Sequence, residues 1–582
     1  MFTKKLRTLL LRDFNFYCKS RQFTKVFNRA ICTSNIKFNS KQDFIVKSPL
    51  KSLAYPDCSI DQYVWADINK WSNKIAIVDG ITDRSITYSE LRDQCRALAI
   101  RLQTSLNLLP NDTIAICIPN SIEFPIVALG GCEAGMIVTT INPVYTSDEI
   151  SRQLIDSGAK VLFGEASMSD ILKEAVQKSK KPIKIVYSTN SPSESIPADG
   201  IRFDDLIGTN GVDLMSLKEV KPDCNSVTFL PYSSGTTGLN KGVMLSHKNI
   251  ISNAIAMRND EVGVTHDSIG DHQDVVPCVL PFFHIYGLVV TLLSKLAQGC
   301  KIITLPKFHP DTFLNAMEKY QGNVLHLVPP IIIFFNSYDK IRQEHTKSVQ
   351  YVLCGAAPLG PGDMEKFQKI APQTKYIQAY GLTEASPVTH AMSKTSTNYA
   401  SVGNPINDTD AKIVEVGDPE FRGIGPNKTG EVLVRGPQIM HGYLNNEKAT
   451  KETLTPDGWL RTGDIGHHDE NGEFYITDRL KELIKVKGFQ VAPAELEEIL
   501  RMHPEITDAA VIGIPNPATG ELPRAFVVAK KNSSVNEKNV QDFVAQKVSE
   551  FKRLAGGVEF VDSIPKNATG KILRRELRQR YV

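Results

Sequence analysis

The sequence predicts an α/β protein with a large N-terminal domain of layered sheets and helices and a small C-terminal α+β domain. Short apolar runs ending in Gly, Pro or Ser recur from about residue 75 to 480 and alternate with helical periodicity. This alternation is typical of layered, largely parallel sheets. After residue 480, about 100 residues are enough for a second domain. We therefore expect domains at 46–480 and 481–582, after a separate segment at 1–45.

Individual elements follow from the same patterns. Leu91, Cys95, Leu98, Ala99 and Leu102 share one face of a predicted helix at 88–102. In the large domain we expect strands at 113–118, 160–163, 227–230, 301–305, 323–328 and 351–353. In the small domain we expect helices at 494–502 and 535–552 and strands at 508–512 and 524–529.

Composition narrows the class of protein. The 582 residues are 42% hydrophobic and 23% charged, which indicates a folded chain too long for one ordinary core. No apolar run reaches the ~18 residues of a membrane span, because Lys295 interrupts the longest one. The ten cysteines show neither a disulfide framework nor Cys/His zinc spacing, which favours a reducing compartment. We expect no transmembrane segment and no nucleic-acid partner, since the body lacks a basic patch with interleaved aromatics.

The first forty residues differ from the rest. They contain nine Lys/Arg and one acid, Asp13, which leaves 58 basic and 63 acidic residues in the remainder. Arg7, Arg12, Arg21 and Arg29 lie among Leu, Phe, Ser and Thr, a pattern typical of a mitochondrial transit peptide. A basic disordered tail is the alternative. We expect the mitochondrial matrix, and otherwise a cytoplasmic or peroxisomal location without a C-terminal Ser-Lys-Leu signal.

The most informative motif is Tyr232-Ser-Ser-Gly-Thr-Thr-Gly-Leu-Asn-Lys-Gly242, directly after the predicted strand at 227–230. Its glycines let backbone N–H groups turn inward, its hydroxyls add donors, and Lys241 adds positive charge, so the loop suits a polyphosphate. It is not a Walker A loop, which requires Gly at 240 and Ser or Thr at 242. The chain has no G-x-S-x-G, so a serine hydrolase is not indicated.

Four further segments place reactive side chains beside turns. Gln378-Ala-Tyr-Gly-Leu-Thr-Glu384 offers an aromatic ring, a hydroxyl and a carboxylate, the last suited to Mg²⁺. Thr462-Gly-Asp464 and Asp478-Arg479 offer a carboxylate of the kind that binds ribose hydroxyls and a nearby cation. Pro565-Lys-Asn-Ala-Thr-Gly-Lys571 ends in a lysine after a glycine turn. Each alone is as readily a loop, a surface ion pair or a solvated tip; their shared order in one chain favours function.

Together these segments resemble the adenylate-forming superfamily of acyl-CoA synthetases, adenylation domains and beetle luciferases, most closely the 4-coumarate–CoA ligase branch. The resemblance covers about residues 55 to 580. Further similar stretches are Leu280-Pro-Phe-Phe-His-Ile-Tyr-Gly287, Gly355-Ala-Ala-Pro-Leu359, Gly458-Trp-Leu-Arg-Thr-Gly-Asp464 and the run from Asp478 through Lys485, Gly488 and Gln490 to Glu497.

The resemblance implies a role for each matching residue. For ATP it implies Ser233, Ser234, Gly235, Thr236, Thr237, Gly238, Lys241, Gln378, Ala379, Tyr380, Gly381, Thr383, Asp464, Arg479 and Lys571. For the acyl group it implies His284, Tyr286, Ala356, Ala379, Pro387 and Val388, with Ala357 at the adenine and acyl site. It implies Glu384 for Mg²⁺, Lys481 as the hinge of a mobile C-terminal domain, and Lys487 and Gly488 for coenzyme A. The implied catalytic residues are Lys571, His284, Lys485 and Gln490.

The implied reaction joins a carboxylic acid to CoA with ATP and Mg²⁺, through an acyl adenylate. Two departures from the branch bear on it: Asn240 replaces a usual Pro, and Ala356 and Ala379 replace common glycines. The two extra methyl groups predict a narrower pocket than a flat aromatic acid needs. A carrier-loading adenylation domain, a luciferase-like oxygenase and a non-catalytic nucleotide-binding paralogue are the alternatives. The sequence does not predict the acid or the oligomeric state.

Overall fold

The structure, a computed structural model, describes residues 43–189, 191, 193–218, 220, 223–233, 240–357, 359–487, 489–567 and 570–581. The chain from Phe44 onward forms one compact unit. The predicted leader at 1–45 therefore lies almost wholly outside the described residues.

An eight-stranded sheet forms the first layer of the large domain. Six neighbouring strands are parallel, and the two remaining strands pair antiparallel at one edge. In spatial order the strands are Gly442–Tyr443, Lys241–Ser246, Val227–Ser233, Ile137–Thr140, Thr113–Cys117, Ala159–Glu165, Lys184–Ser188 and Ile201–Arg202. The strands predicted at 113–118, 160–163 and 227–230 are confirmed, and the last of them ends at Ser233.

Two further sheets form a second layer. One contains Val275–Cys278, Lys301–Thr304, Ile75–Asp79 and Ser85–Thr87, and the other contains Val324–Leu327, Tyr351–Cys354, Lys375–Gly381, Val388–Ala391 and Asn404–Pro405. The first three strands of each sheet are parallel. The strands predicted at 301–305, 323–328 and 351–353 are confirmed here. Their carboxyl ends point toward one region, where ligand loops of α/β sheets meet.

A fourth sheet is antiparallel, unlike the parallel arrangement that the sequence predicts for most of the domain. Its strands are Val46–Lys47, Asp410–Val414, Gly430–Arg435, Leu460–His468 and Phe474–Arg479. A turn of only five residues joins the last two, and such a short connection permits only antiparallel pairing. Asp464 lies directly opposite Arg479 in that pair.

Helices cover these sheets. The helix predicted at 88–102 is Tyr88–Thr104, and it starts with a capping box in which Thr87 and Glu90 exchange hydrogen bonds. The other α-helices of the large domain are Ile60–Trp65, Glu123–Glu133, Ser147–Ser157, Ser169–Ser179, Phe203–Ile207, His247–Ala256, Ser294–Leu296, Pro310–Tyr320, Pro329–Ser337, Gln343–Thr346, Pro361–Ile370 and Glu447–Thr453. Short 3₁₀ turns occupy Ile68–Lys70, Ala166–Met168 and Thr383–Ala385, and Tyr286–Leu293 is a π-helix.

The small domain has its own apolar core around Val491, Leu496, Val511, Val527 and Val540. Its strands are Ile484–Val486, Phe489–Val491, Ile506–Asn516, Gly520–Ala529 and Val558–Phe560, and its helices are Pro493–Arg501, Glu537–Ala545 and Arg574–Tyr581. The helix predicted at 535–552 is too long. It ends at Ala545, because Ser549 has an extended backbone from which a separate 3₁₀ turn, Glu550–Lys552, begins.

Lys295 lies inside the apolar region that it interrupts in the sequence. Its side chain is fully buried, and Nζ donates to Thr265 Oγ1 over 2.8 Å. Burial lowers the pKa of this amine to about 8. Among the described residues, no helix combines the length and apolar character needed to cross a bilayer.

Candidate active site

A cavity of about 850 Å³ lies where the parallel strands end and the small domain meets the large one. Ser233 ends one strand, Tyr380 lies near the end of another, and His284 follows a third. The structure gathers most of the sequence-predicted residues on the wall of this cavity. They are Ser233, Lys241, His284, Tyr286, Ala356, Ala379, Tyr380, Gly381, Thr383, Glu384, Pro387, Val388, Arg479, Lys481 and Lys571.

Glu384 is held by hydroxyl groups from two other segments. Its Oε1 accepts hydrogen bonds from Ser233 Oγ and Tyr443 OH, each over 2.8 Å, and the residue is 8% exposed. Lys241 Nζ lies 4.7 Å from the centre of the Tyr443 ring. The arrangement fixes a carboxylate and a cation beside the start of the predicted phosphate loop.

Asp464 contacts two residues of the cavity wall, Tyr380 and Arg479. Its Oδ2 accepts a hydrogen bond from Tyr380 OH over 2.6 Å, and its Oδ1 lies 3.3 Å from Arg479 Nε. Burial raises the pKa of this carboxyl, while Arg479 and the Tyr380 hydroxyl act in the opposite direction. Asp464 does not itself line the cavity; Tyr380 and Arg479, which it orients, do.

Lys571 reaches the cavity from the small domain. Gly570 has φ +77°, a left-handed conformation that suits glycine, and Lys571 N donates to Asn567 Oδ1 over 2.8 Å. Burial, and then the nearby Arg479, lower the pKa of its amine to about 8, although Glu482 and Asp464 act in the opposite direction. Lys571 is thus a mostly buried cation that lies near both a guanidinium group and two carboxylates.

The side of the cavity that is predicted to hold the acyl group includes apolar and aromatic groups. His284 Nδ1 accepts a hydrogen bond from Tyr286 N over 3.3 Å, and burial lowers the pKa of the imidazole to about 4, so the ring is neutral at pH 7. Tyr286 OH donates to Leu353 O over 2.9 Å. Ala356 has φ +72°, which is strained for a residue with a Cβ.

Several predicted residues lie elsewhere. Ser234, Gly235, Thr236, Thr237, Gly238 and Gly488 fall outside the described residues. Gln378 is buried away from the cavity, where its amide donates to Tyr399 O over 2.8 Å. Lys485 and Gln490 face each other across the exposed hairpin of Ile484–Val486 and Phe489–Val491, and Lys487 lies exposed at its turn. The structure therefore brings Lys571 to the cavity, but not this hairpin.

Three residues that lie on or near the cavity wall were not predicted from the sequence. Tyr443 holds Glu384, Glu482 pairs with Arg574 close to Lys571, and His326 is a fully buried histidine beside Tyr286 with its ring centre 6.1 Å away. Tyr443 follows a lone glycine without a recognisable motif. His326 could have been noticed, because it is the one polar residue in the otherwise apolar run 324–335. It lies in the strand Val324–Leu327.

The geometry joins a phosphate-loop strand, a buried carboxylate with hydroxyl partners, an Asp–Arg pair and a lysine from a second domain. Residues 64–444 match the family model described as AMP-binding enzyme, and residues 495–571 match that described as AMP-binding enzyme C-terminal domain. The chain belongs to the AMP-binding enzyme family. This confirms the resemblance to the adenylate-forming superfamily, and the match includes both the large and the small domain.

Known proteins resemble the chain over almost its whole length. It is 37% identical to 4-coumarate-CoA ligase 1 of Narcissus pseudonarcissus, over 93% of this chain and 97% of that protein. It is 39% identical to peroxisomal OPC-8:0-CoA ligase 1 of Arabidopsis thaliana, over 94% and 96%. Among solved structures, ATP-bound MatB from Rhodopseudomonas palustris superimposes with a TM-score of 0.80 at 25% identity, covering 90% of this chain and 99% of that one.

Proposed function

We propose that this acid–thiol ligase activates a carboxylic acid as an acyl adenylate and then transfers the acyl group to coenzyme A. The ligase class, and the use of ATP, Mg²⁺ and CoA, follow from the family and from relatives named as CoA ligases. The two-step route and the roles of individual residues are the substance of the proposal.

The observation that carries the first step is the position of Lys571. A carboxylate oxygen attacks the α-phosphorus of ATP, a new O–P bond forms, and the bond to pyrophosphate breaks. Negative charge accumulates on the oxygens around phosphorus, so a cation fixed nearby stabilises the transition state more than the separated reactants. Lys571 is such a cation, and burial, followed by the nearby Arg479, lowers its pKa in the absence of ATP and the acid.

The residues around Glu384 fit a bound Mg²⁺. Ser233, Thr383 and Glu384 offer oxygen atoms only, which is the ligand type this ion prefers. The ion neutralises phosphate charge when bound. In the chain itself, Ser233 and Tyr443 fix the carboxylate of Glu384, and Lys241 adds a positive charge to the same wall.

The second step needs a different set of residues. The CoA thiolate attacks the acyl carbonyl, the new C–S bond replaces the C–O bond, and AMP leaves. Lys571 occupies the cavity, whereas Lys485, Lys487 and Gln490 lie exposed on the hairpin outside it. We infer that the small domain turns about Lys481, withdraws Lys571, and brings the hairpin to the acyl adenylate.

The shape of the acyl wall supports slender acids, such as medium-chain ones, over 4-coumarate. Ala356 and Ala379 both line the cavity, so their methyl groups remove space from it. Relatives named for 4-coumarate and for OPC-8:0 are almost equally similar to this chain, so identity does not choose between an aromatic and an aliphatic acid. The support for a slender acid is therefore the position of Ala356 and Ala379 on the cavity wall.

Two half-reaction assays test the mechanism. Pyrophosphate release with acid and MgATP measures adenylation, and thioester formation from supplied acyl adenylate and CoA measures the second step. Lys571→Ala should lower adenylation by about 10² or more and leave thioester formation near normal. The matched variant Lys485→Ala, also a lysine of the small domain, should do the reverse.

The outcomes separate the parts of the proposal. Adenylation at the wild-type rate in Lys571→Ala would contradict the catalytic assignment. Equal loss of both steps would contradict the division of labour between two domain orientations. Light emission with a luciferin would instead favour the oxygenase alternative, and no pyrophosphate release with any of a panel of fatty, benzoic and hydroxycinnamic acids would favour the non-catalytic one.

We also infer import into mitochondria from the acid-poor basic leader. The relatives give this location no support, and one of them is named as peroxisomal. A fluorescent protein fused to residues 1–45 should enter mitochondria. Its retention in the cytosol would remove the inference.

A further inference from the structure

A cluster of two histidines and one aspartate lies in the segment that precedes the strand Val275–Cys278. The nitrogen and oxygen atoms of His266, His272 and Asp274 all lie within 4.8 Å of one another. His272 Nε2 is 3.4 Å from Asp274 Oδ1, and His266 Nδ1 is 3.8 Å from Asp274 Oδ2. Both imidazoles are exposed, whereas the aspartate is 1% exposed.

The backbone sets this geometry through a tight turn. His272 N donates to Ile269 O over 2.9 Å, and Gly270 between them has φ +53°. The turn brings His272 back toward His266, so that their ring centres are 6.2 Å apart. Lys74 Nζ also donates to His272 O over 2.7 Å, which ties the turn to the body of the domain.

Asp274 is oriented as metal-binding carboxylates usually are. Asn323 Nδ2 donates to Oδ1 over 2.7 Å, and His266 N donates to Oδ2 over 2.7 Å. Asn323 is itself fixed, because its Oδ1 accepts from Val275 N over 2.7 Å. Each carboxylate oxygen keeps a second lone pair for a ligand bond, and such outer hydrogen bonds orient ligands at metal sites.

We propose that His266, His272 and Asp274 bind a Zn²⁺ ion, with water as the fourth ligand. In a tetrahedral site with bonds of about 2.0–2.1 Å, neighbouring ligand atoms lie about 3.3 Å apart. One ligand atom from each residue lies within 4.8 Å of the other two, so the widest separation closes to this value with a shift of at most about 1.5 Å. Exposed imidazoles make such a shift by rotation of their side chains.

The site is separate from the active-site cavity. Asp274 precedes the strand Val275–Cys278, and His284 follows it at the other end; four residues of strand alone span about 13 Å. None of the three ligands lines the cavity. The ion therefore acts as a clip that joins the turn to the start of a core strand, and it takes no part in the ligase reaction.

A competing structural role exists for Asp274 alone. The carboxylate raises the pKa of buried Lys295, against the stronger effect of burial, and so compensates part of its charge. That role explains a buried aspartate, but it does not explain two imidazoles turned toward it. The histidines are therefore the residues to test, and their exposure makes replacement tolerable for folding.

The test measures metal binding by the full-length chain after chelator treatment and dialysis. Calorimetric titration with Zn²⁺ should give one site per chain that is lost or weakened at least about tenfold in His266→Ala and in His272→Ala. Co²⁺ should give the visible absorption of a tetrahedral site in the unmodified chain only. Zn²⁺ should also raise the Tm of the unmodified chain and not that of the double variant.

His309→Ala is the matched control, because His309 is also exposed and lies outside the cluster. It should bind as the unmodified chain does. Equal Zn²⁺ affinity in the double variant and the unmodified chain would overturn the proposal, as would the absence of binding at 100-fold molar excess of metal. Neither result depends on ligase activity, so failure of the zinc proposal would leave the proposed function untouched.

Discussion

The pKa of Lys571 predicts how adenylation depends on pH. A lysine whose pKa is lowered to about 8 loses its proton as the pH rises through that value, and only the protonated form stabilises the charge on phosphorus. The protonated fraction is about 91% at pH 7 and about 9% at pH 9. We therefore expect kcat/KM for ATP in the pyrophosphate-release assay to fall about tenfold between these values.

Two variants test whether Lys571 causes this fall in kcat/KM at alkaline pH, the alkaline limb of the profile. Lys571→Arg retains a cation throughout the range, because guanidinium does not titrate there, so its kcat/KM should stay flat whatever its absolute value. Lys485→Ala should keep the limb, since that lysine lies outside the cavity. The limb of kcat should lie at higher pH than that of kcat/KM, because bound ATP raises the pKa of the lysine. An unchanged limb in Lys571→Arg would refute the reasoning.

Further predictions concern the proposed hinge, the acyl wall and Gly381. Lys481→Pro fixes a backbone angle that domain rotation must change, so adenylation should persist while thioester formation falls by at least about tenfold. Ala356→Gly with Ala379→Gly should raise kcat/KM for 4-coumarate relative to octanoate, and Ala356→Gly alone should stabilise the fold by up to about 1 kcal/mol, because it removes a strained φ. Gly381→Ala should destabilise it by about 1–3 kcal/mol, since a Cβ there would lie 2.0 Å from Pro387 O.

Each of these has a control. Lys481→Ala should retain both half-reactions, and a matched loss in the alanine and proline variants would contradict the hinge. Higher kcat/KM for 4-coumarate than for octanoate in the unmodified protein would contradict the narrow pocket. Gly362→Ala is the control for Gly381→Ala, because its added Cβ would meet no atom within 4 Å beyond its own stretch of helix. Equal Tm values for both variants would contradict the expected clash with Pro387 O.

The parallel strands were predictable because each is a short apolar run that ends in a turn residue. The antiparallel sheet of Asp410–Val414, Gly430–Arg435 and their neighbours was not, because its pairing depends on hairpin contacts between residues up to tens of positions apart. The helix end at Ala545 escaped prediction for a related reason. Apolar periodicity continues past it, while the break comes from the extended backbone of Ser549.

The site was largely predictable because its residues occur in compact motifs that meet at strand ends. Tyr443 was not, since its function as a donor to Glu384 arises only when two segments 59 residues apart come together. The strain at Ala356 was equally hidden, because alanine disfavours the left-handed region and the sequence gives no sign of it. The His266 cluster was not predictable either, because it contains no cysteine and therefore no Cys/His zinc spacing.

The pairing of Asp464 with Arg479 has a consequence for the intermediate. Both residues belong to the antiparallel sheet of the large domain, and Arg479 lies only two residues before Lys481, the proposed hinge. In the proposed mechanism, a rotation that begins at Lys481 would leave this strand pair in place, so the nucleotide half of the acyl adenylate would stay anchored while the chemistry around its acyl carbon changes. The reactive anhydride would then be retained between the two steps, and we expect variants that loosen the Asp464–Arg479 pair to release it to hydrolysis in water.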